Sequence, residues 1–309
     1  MNVKKTFLLS ALAILIIVFI GYQIRATKNT NTLPASTKPL VTTSFYPLYF
    51  FTSQIATDIV DIYNITPAGA EPHDYEPTSQ DIVRIETSKL LILNGGKLEP
   101  WADKIKGDLQ EKNTVILTVG NDLANQQIQE DGEAVQDPHI WLSPKIAKEV
   151  AKIITQGLVG IDQANTFAYQ MNLQSLEKKL DDLDTQYRNG LANCQTRNII
   201  TSHAAFGYLA HEYNLNQVAI SGLSPDAEPS AKQLAEVADF ARKNKIKYIF
   251  FESLVSPKLS QTIAQEIGAE TLVLNPIEGL SDDQISDGKN YFTEMQTNLA
   301  NLRIALQCK

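Results

Sequence analysis

Twice along this chain, short apolar runs of strand-like sequence alternate with stretches whose apolar residues recur at helical spacing, and that rhythm admits few folds. From Leu40 the order is VTTSF, a helix through Phe51 and Ile55, VDIYNIT, the segment Ile82 to Ile85, KLLILN and TVILTV. A second series begins at NIITS (198–202) and continues through QVAIS, a helical stretch at 230–244, KYIFFE, a helix ending near Gly268, and ETLVLN. Alternation of this kind predicts mostly parallel sheets covered by helices on both faces. Between the two series, Asn165 to Gly190 carries Phe167, Leu173, Leu176, Leu180, Leu183 and Tyr187, mostly three or four apart, the stripe of an amphipathic helix. At 1.5 Å per residue this helix is about 39 Å long. The expected fold is α/β: two lobes, each with a mostly parallel sheet flanked by helices, joined by one long rigid helix. The expected boundaries are 39–162 for the N-terminal lobe, 163–191 for the linking helix and 192–309 for the C-terminal lobe. A chain of 309 residues is long enough for two domains, each with its own core.

The N-terminus reads differently. Lys4 and Lys5 precede an uncharged run from Thr6 to Ile24, closed by Arg25, so residues 1–25 are expected to be an export signal or, if uncleaved, a membrane anchor. Residues 26–38, ATKNTNTLPASTK, are polar and suit a flexible tether. Residues 1–30 carry four basic and no acidic side chains, which leaves 23 basic against 35 acidic residues in the remainder. That acidic balance, like the −8 of the whole chain, excludes a general nucleic-acid binder, because neutralising phosphates needs an excess of Lys and Arg. A cation or a neutral molecule is the expected ligand. Cys194 and Cys308 are the two cysteines of a chain expected to be exported, and a disulfide between them is expected.

Four histidines occur, and three stand where strands give way to loops or helices: His73 in PAGAEPHDYEP, His139 in QDPHIWLSP and His203 in IITSHAAFGYL. Ligands of open α/β sheets bind at the carboxyl ends of the strands, and neutral imidazole suits borderline-soft ions such as zinc. His211 falls eight residues after His203 within a helical stretch and reads as a solvated or packing residue. No HExxH or CxxC spacing is present, so spacing alone does not establish a metal site. Trp101 and Trp141 read as packing residues. Glu252, at the end of KYIFF, reads either as a partner that orients a histidine or as a helix cap.

From Thr42 to Cys308 the chain resembles the metal solute-binding proteins of ABC transporters known as cluster A-I, and within them the zinc-receptor branch. The motifs that carry the resemblance are SFYPLYFF, EPHDYEPT, LILNGGKLEPW, DPHIWLSP, SHAAFGYLA, GLSPDAEPS, FFES and LNPIEGL, in that order. It implies a fold of two α/β lobes bridged by a long helix and metal ligands at His73, His139 and His203. It implies a fourth, acidic ligand in LNPIEGLSDD, where Glu278 matches and Asp282 and Asp283 are competitors. Manganese-binding relatives supply a second carboxylate from the C-terminal lobe at a position aligned with VAISGLSP, and no acidic residue lies between Asn214 and Pro225. The sequence departs from many relatives in having no His-rich loop before DPH, where the short acidic stretch NDLANQQIQEDGEAVQD stands instead, and no lipid-attachment cysteine.

The function these features imply is an extracytoplasmic receptor, in the periplasm or on the outer face of the cytoplasmic membrane, that captures Zn2+ in the interlobe cleft and delivers it to an ABC permease. Zinc is the transported ligand, no catalysis is expected, and the chain is expected to act as a monomer, held at the membrane if its N-terminal segment stays uncleaved. Two alternatives remain at this point: a manganese or iron receptor of the same family, and a zinc hydrolase, since three histidines and a water also describe a catalytic site. A further adhesin role is open for members of this family.

Overall fold

The computed structural model describes residues 38–130 and 133–309; the expected export segment and nearly all of the tether lie outside the described residues. The first lobe opens with strand β1 (Leu40–Thr43), helix α1 (Tyr46–Ala56), β2 (Asp61–Asn64), α2 (Ser79–Thr87), β3 (Leu90–Leu93), α3 (Ala102–Glu111) and β4 (Val115–Thr118). Its four strands pair in parallel in the order β2-β1-β3-β4. Local chemistry sets the helix starts. Pro47 stands in the first turn of α1, where its missing N–H costs nothing. Thr78 and Asp81 form a reciprocal capping box on α2.

An antiparallel hairpin, β5 (Gln127–Glu130) and β6 (Glu133–Gln136), follows in the acidic stretch before DPH. No strand was expected in that stretch. Helix α4 (Pro144–Ile161) and the long α5 (Thr166–Gly190) then pack against each other. The second lobe comprises β7 (Asn198–Thr201), α6 (Gly207–Glu212), β8 (Asn216–Ala219), α7 (Ala231–Lys243), β9 (Tyr248–Phe251), α8 (Lys258–Ile267), β10 (Glu270–Val273), α9 (Asp282–Ser286) and α10 (Tyr291–Ala305). Here β7 pairs with β8 and β9 with β10, both in parallel, and β7 lies beside β9.

Helix α5 spans 25 residues, about 37 Å at 1.5 Å per residue. Its buried face is Tyr169, Leu176, Leu180, Leu183 and Tyr187. Phe167, expected in that stripe, is 76% exposed, and Tyr169 takes the inward position, donating its hydroxyl to Asp162 Oδ2 at 2.9 Å. The helix is fastened to both lobes: Asn172 Nδ2 donates to Ile55 O at 2.9 Å, and Tyr187 Oη donates to Met295 O at 2.7 Å.

Residues 38–309 form one compact unit. The largest apolar core is shared: Phe45, Phe50, Phe51 and Trp141 meet Leu274, Ile277 and Tyr291 of the other lobe. Each lobe adds a smaller core of its own, around Leu91 and Trp101 in the first and around Ile200 and Ile249 in the second. Trp141 Nε1 donates to Pro276 O at 2.7 Å, and Tyr291 Oη donates to Trp141 O at 2.6 Å. The lobes are thus joined by packed aromatic side chains as well as by a helix. The expected Cys194–Cys308 disulfide is present and closes a separation of 114 residues. Backbone bonds Gln195 N to Leu306 O and Lys309 N to Asn193 O hold the same two segments.

Candidate metal centre

Each expected ligand lies in the connection that follows a strand. His73 lies in the loop after β2, His139 follows β6 and precedes α4, His203 follows β7, and Glu278 follows β10. The structure brings all four together: one donor atom from each lies within 4.8 Å of every other. His73 Nε2 stands 3.3 Å, His139 Nε2 3.1 Å and His203 Nε2 3.4 Å from Glu278 Oε1, and the Nε2 atoms of His139 and His203 are 3.3 Å apart. Donors placed tetrahedrally at the usual Zn–N and Zn–O lengths of about 2.0–2.1 Å lie about 3.3–3.4 Å from one another. Four of the six edges therefore match the tetrahedron zinc prefers.

Two of the histidines are held with Nε2 facing the centre. His139 Nδ1 donates to Asp137 Oδ1 at 2.7 Å, and the same oxygen accepts the His139 backbone N–H at 2.9 Å. His203 Nδ1 donates to Glu252 Oε1 at 2.6 Å; that carboxylate also accepts the His203 backbone N–H and the Ser202 hydroxyl. A proton fixed on Nδ1 leaves the Nε2 lone pair facing the centre. Glu252 is thus an orienting partner rather than a helix cap, since α8 begins only at Lys258. Asp137 was not singled out from the sequence. The signal for it was present: an acidic residue followed by proline precedes both His139 and His73.

Burial and charge compete at each group. His139 and His203 are fully buried, which disfavours the imidazolium, yet the carboxylates of Asp137 and Glu278 raise the first and those of Glu252 and Glu278 raise the second well above the usual range. For His73, burial wins over Glu278 and the value falls. Burial also opposes charge on Glu278, but His203 and the hydrogen bonds from the three rings hold its carboxyl well below the ordinary value. Glu71, also missed in the sequence, accepts the His73 N–H at 3.4 Å through Oε1 while its shielded Oε2 has no partner among the described residues. Burial first, then repulsion by Glu278, pushes it up to about 9.

The loop that carries Glu278 is built with backbone strain. Ile277 adopts φ +59°, a left-handed conformation that crowds a β-branched side chain. A buried polar network holds it there: Asn275 Oδ1 accepts the Ile277 N–H, Asn275 Nδ2 donates to Glu294, and Asn298 brackets the Asn275 backbone. Asp282 and Asp283 stand exposed at the start of α9, outside the cluster. His211 is exposed on α6. Trp101 is buried in the first lobe, and Trp141 packs its ring 5.3 Å from that of His139.

Residues 41–305 match the family described as zinc-uptake complex component A, periplasmic. The chain belongs to this family. Among its relatives is the high-affinity zinc uptake system protein ZnuA of Bacillus subtilis, 40% identical over 280 residues that cover 87% of this chain and 88% of that one. The zinc-binding protein AdcA of Streptococcus pyogenes serotype M1 is 34% identical across 97% of this chain, but the match spans only 61% of AdcA. The Zn(II)-bound ZnuA-like domain of Streptococcus pneumoniae AdcA superposes with a TM-score of 0.76 at 38% identity, covering 87% of this chain and 99% of that domain. Members of the zinc-uptake component A family share the two-lobe α/β fold with a long connecting helix seen here. They are substrate-binding components of transport systems.

Proposed function

We propose that this chain is the extracytoplasmic zinc receptor of an ABC-type uptake transporter, binding one Zn2+ through His73, His139, His203 and Glu278 and passing it to a membrane permease without chemistry on it. The tetrahedral spacing of three imidazole nitrogens and one carboxylate oxygen carries this reading. Two ligands come from each lobe, taken as residues 39–162 and 192–309 about a linking helix at 163–191, so the ion sits where lobe movement can release it. Glu278 fills the position that a hydrolytic zinc site leaves to water, which supports a binding rather than a catalytic role. The family description supports a site outside the cytoplasm; in this reading residues 1–25 act as export signal or anchor and 26–38 as tether, as their composition suggests, and the chain works as a monomer. The test is calorimetric titration with zinc. His203→Ala should lose most of the affinity and Glu278→Gln less, because water can take the fourth position. Tight binding unchanged in His203→Ala would overturn the assignment.

A further inference from the structure

Glu71 is a half-buried carboxyl, one oxygen of which the fold does not use. Its Oε1 takes a single long bond from the His73 backbone, and its Oε2 is shut away from water without any partner among the described residues. A shielded carboxyl oxygen left without a partner is unfavourable, and apart from the His73 N–H no hydrogen-bond donor to this carboxyl is found among the described residues. Its position is fixed by contacts on both sides in the sequence. Before it, Gly69 N donates to Leu280 O at 3.0 Å across the lobes, and Gly279 approaches Ala70 so closely that a Cβ there would stand 3.3 Å from Ala70 O. After it, His73 Nε2 meets Glu278 Oε1 at 3.3 Å. Glu71 is thus held between two attachments to the 278–280 loop, beside the His3Glu cluster but outside the four donors that lie within 4.8 Å of one another.

We propose, resting on the zinc-receptor reading above, that Glu71 is a second carboxylate donor: its free Oε2 swings into the shell as a fifth ligand when the ion favours oxygen, and so sets how strongly the site discriminates zinc from manganese. Zinc is satisfied by four ligands, whereas manganese prefers an oxygen-rich shell of higher coordination number. No acidic residue lies between Asn214 and Pro225, so no second carboxylate comes from that part of the C-terminal lobe. Glu71 offers one from the N-terminal lobe. Three rotatable side-chain bonds give it the reach that Asp, one methylene shorter, lacks.

Cobalt(II) reports the difference directly, because four-coordinate cobalt absorbs visible light several times more strongly than five-coordinate cobalt. The unmodified protein with one cobalt per chain should show weak, five-coordinate bands. Glu71→Gln and Glu71→Asp should both give the stronger four-coordinate bands at the same stoichiometry. In competition titrations, manganese affinity should fall about tenfold in Glu71→Gln, or about 1.4 kcal/mol, while zinc affinity changes by less than about threefold. If Glu71→Gln binds cobalt with the spectrum and metal preference of the unmodified protein, the fifth-ligand proposal is overturned and the His3Glu assignment stands. A Glu71→Asp protein that matches the unmodified one while Glu71→Gln differs shows that charge alone acts, which also overturns it. Failure of the unmodified protein to bind cobalt or zinc removes both readings.

Discussion

Replacing Asp137 by Asn separates the geometry of the metal centre from its electrostatics. Asn retains an oxygen able to accept the two bonds that Asp137 Oδ1 now takes from His139, at 2.7 Å from Nδ1 and 2.9 Å from the backbone N–H, so the ring should stay in place. What is lost is the negative charge that makes His139 Nε2 a better donor. Loss of such a partner typically lowers metal affinity 10–100-fold, or about 1.4–2.8 kcal/mol. A second effect opposes it. Burial disfavours a proton on His139, but Asp137 and Glu278 raise its pKa, so protons compete with zinc at neutral pH, and removing the charge weakens that competition. The first effect should win where protons are scarce. Zinc titration against a competing chelator at about pH 8 should show the full deficit, and at about pH 6 a smaller one. Asp282→Asn, an exposed change at the start of α9, is the control and should leave affinity unaltered. An Asp137→Asn protein within about twofold of the unmodified affinity at about pH 8 would refute the claim that this carboxylate tunes the site.

The metal-free protein should lose stability as pH rises from about 6.5 towards 9, because His139 and His203 have folded-state values above the unfolded one and Glu71 must shed a proton at about 9; the lowered value of His73 acts only below about 6.5, outside this window. Stabilisation by added zinc should grow over the same range as protons leave the ligands, so thermal melts with and without zinc should diverge; parallel curves would contradict this. Reducing Cys194–Cys308 should lower stability by about 4–5 kcal/mol in the chain-entropy model without abolishing zinc binding, measured by denaturant titration and calorimetry. Trp141→Ala removes a fully buried ring and the Pro276 bond between the lobes, and should cost about 3–5 kcal/mol by denaturant unfolding.

Much of this architecture was legible because the signals were periodic or local. The strands from VTTSF to ETLVLN and the long helix occupy the expected places. Phe167 misled because hydrophobicity alone cannot say which of two aromatics two residues apart faces inward. Tyr169 completes the spacing 169, 173, 176, 180, 183, 187, and Asp162 satisfies its hydroxyl. The β5–β6 hairpin was hidden by its charged, polar composition, which lacks the apolar alternation of a half-buried strand. The three histidines stood out by scarcity and position, and Glu278 by its motif. Only the fold could separate Glu278 from Asp282 and Asp283, because the choice depends on a strained Ile277 fixed by Asn275 and Asn298, residues that look unremarkable in the chain. Glu71 and Asp137 were visible as acid–proline pairs before histidine, but their roles depend on burial and on which oxygen is left unpaired.

The central claim is that one zinc ion is held by three histidines and Glu278. Elemental analysis of purified residues 30–309, exposed to zinc and then freed of loosely bound metal, tests it most directly. The account predicts one zinc per chain, and none retained when His139 and His203 are both replaced by alanine. A protein that retains no zinc, or a double variant that still carries a full equivalent, would contradict it.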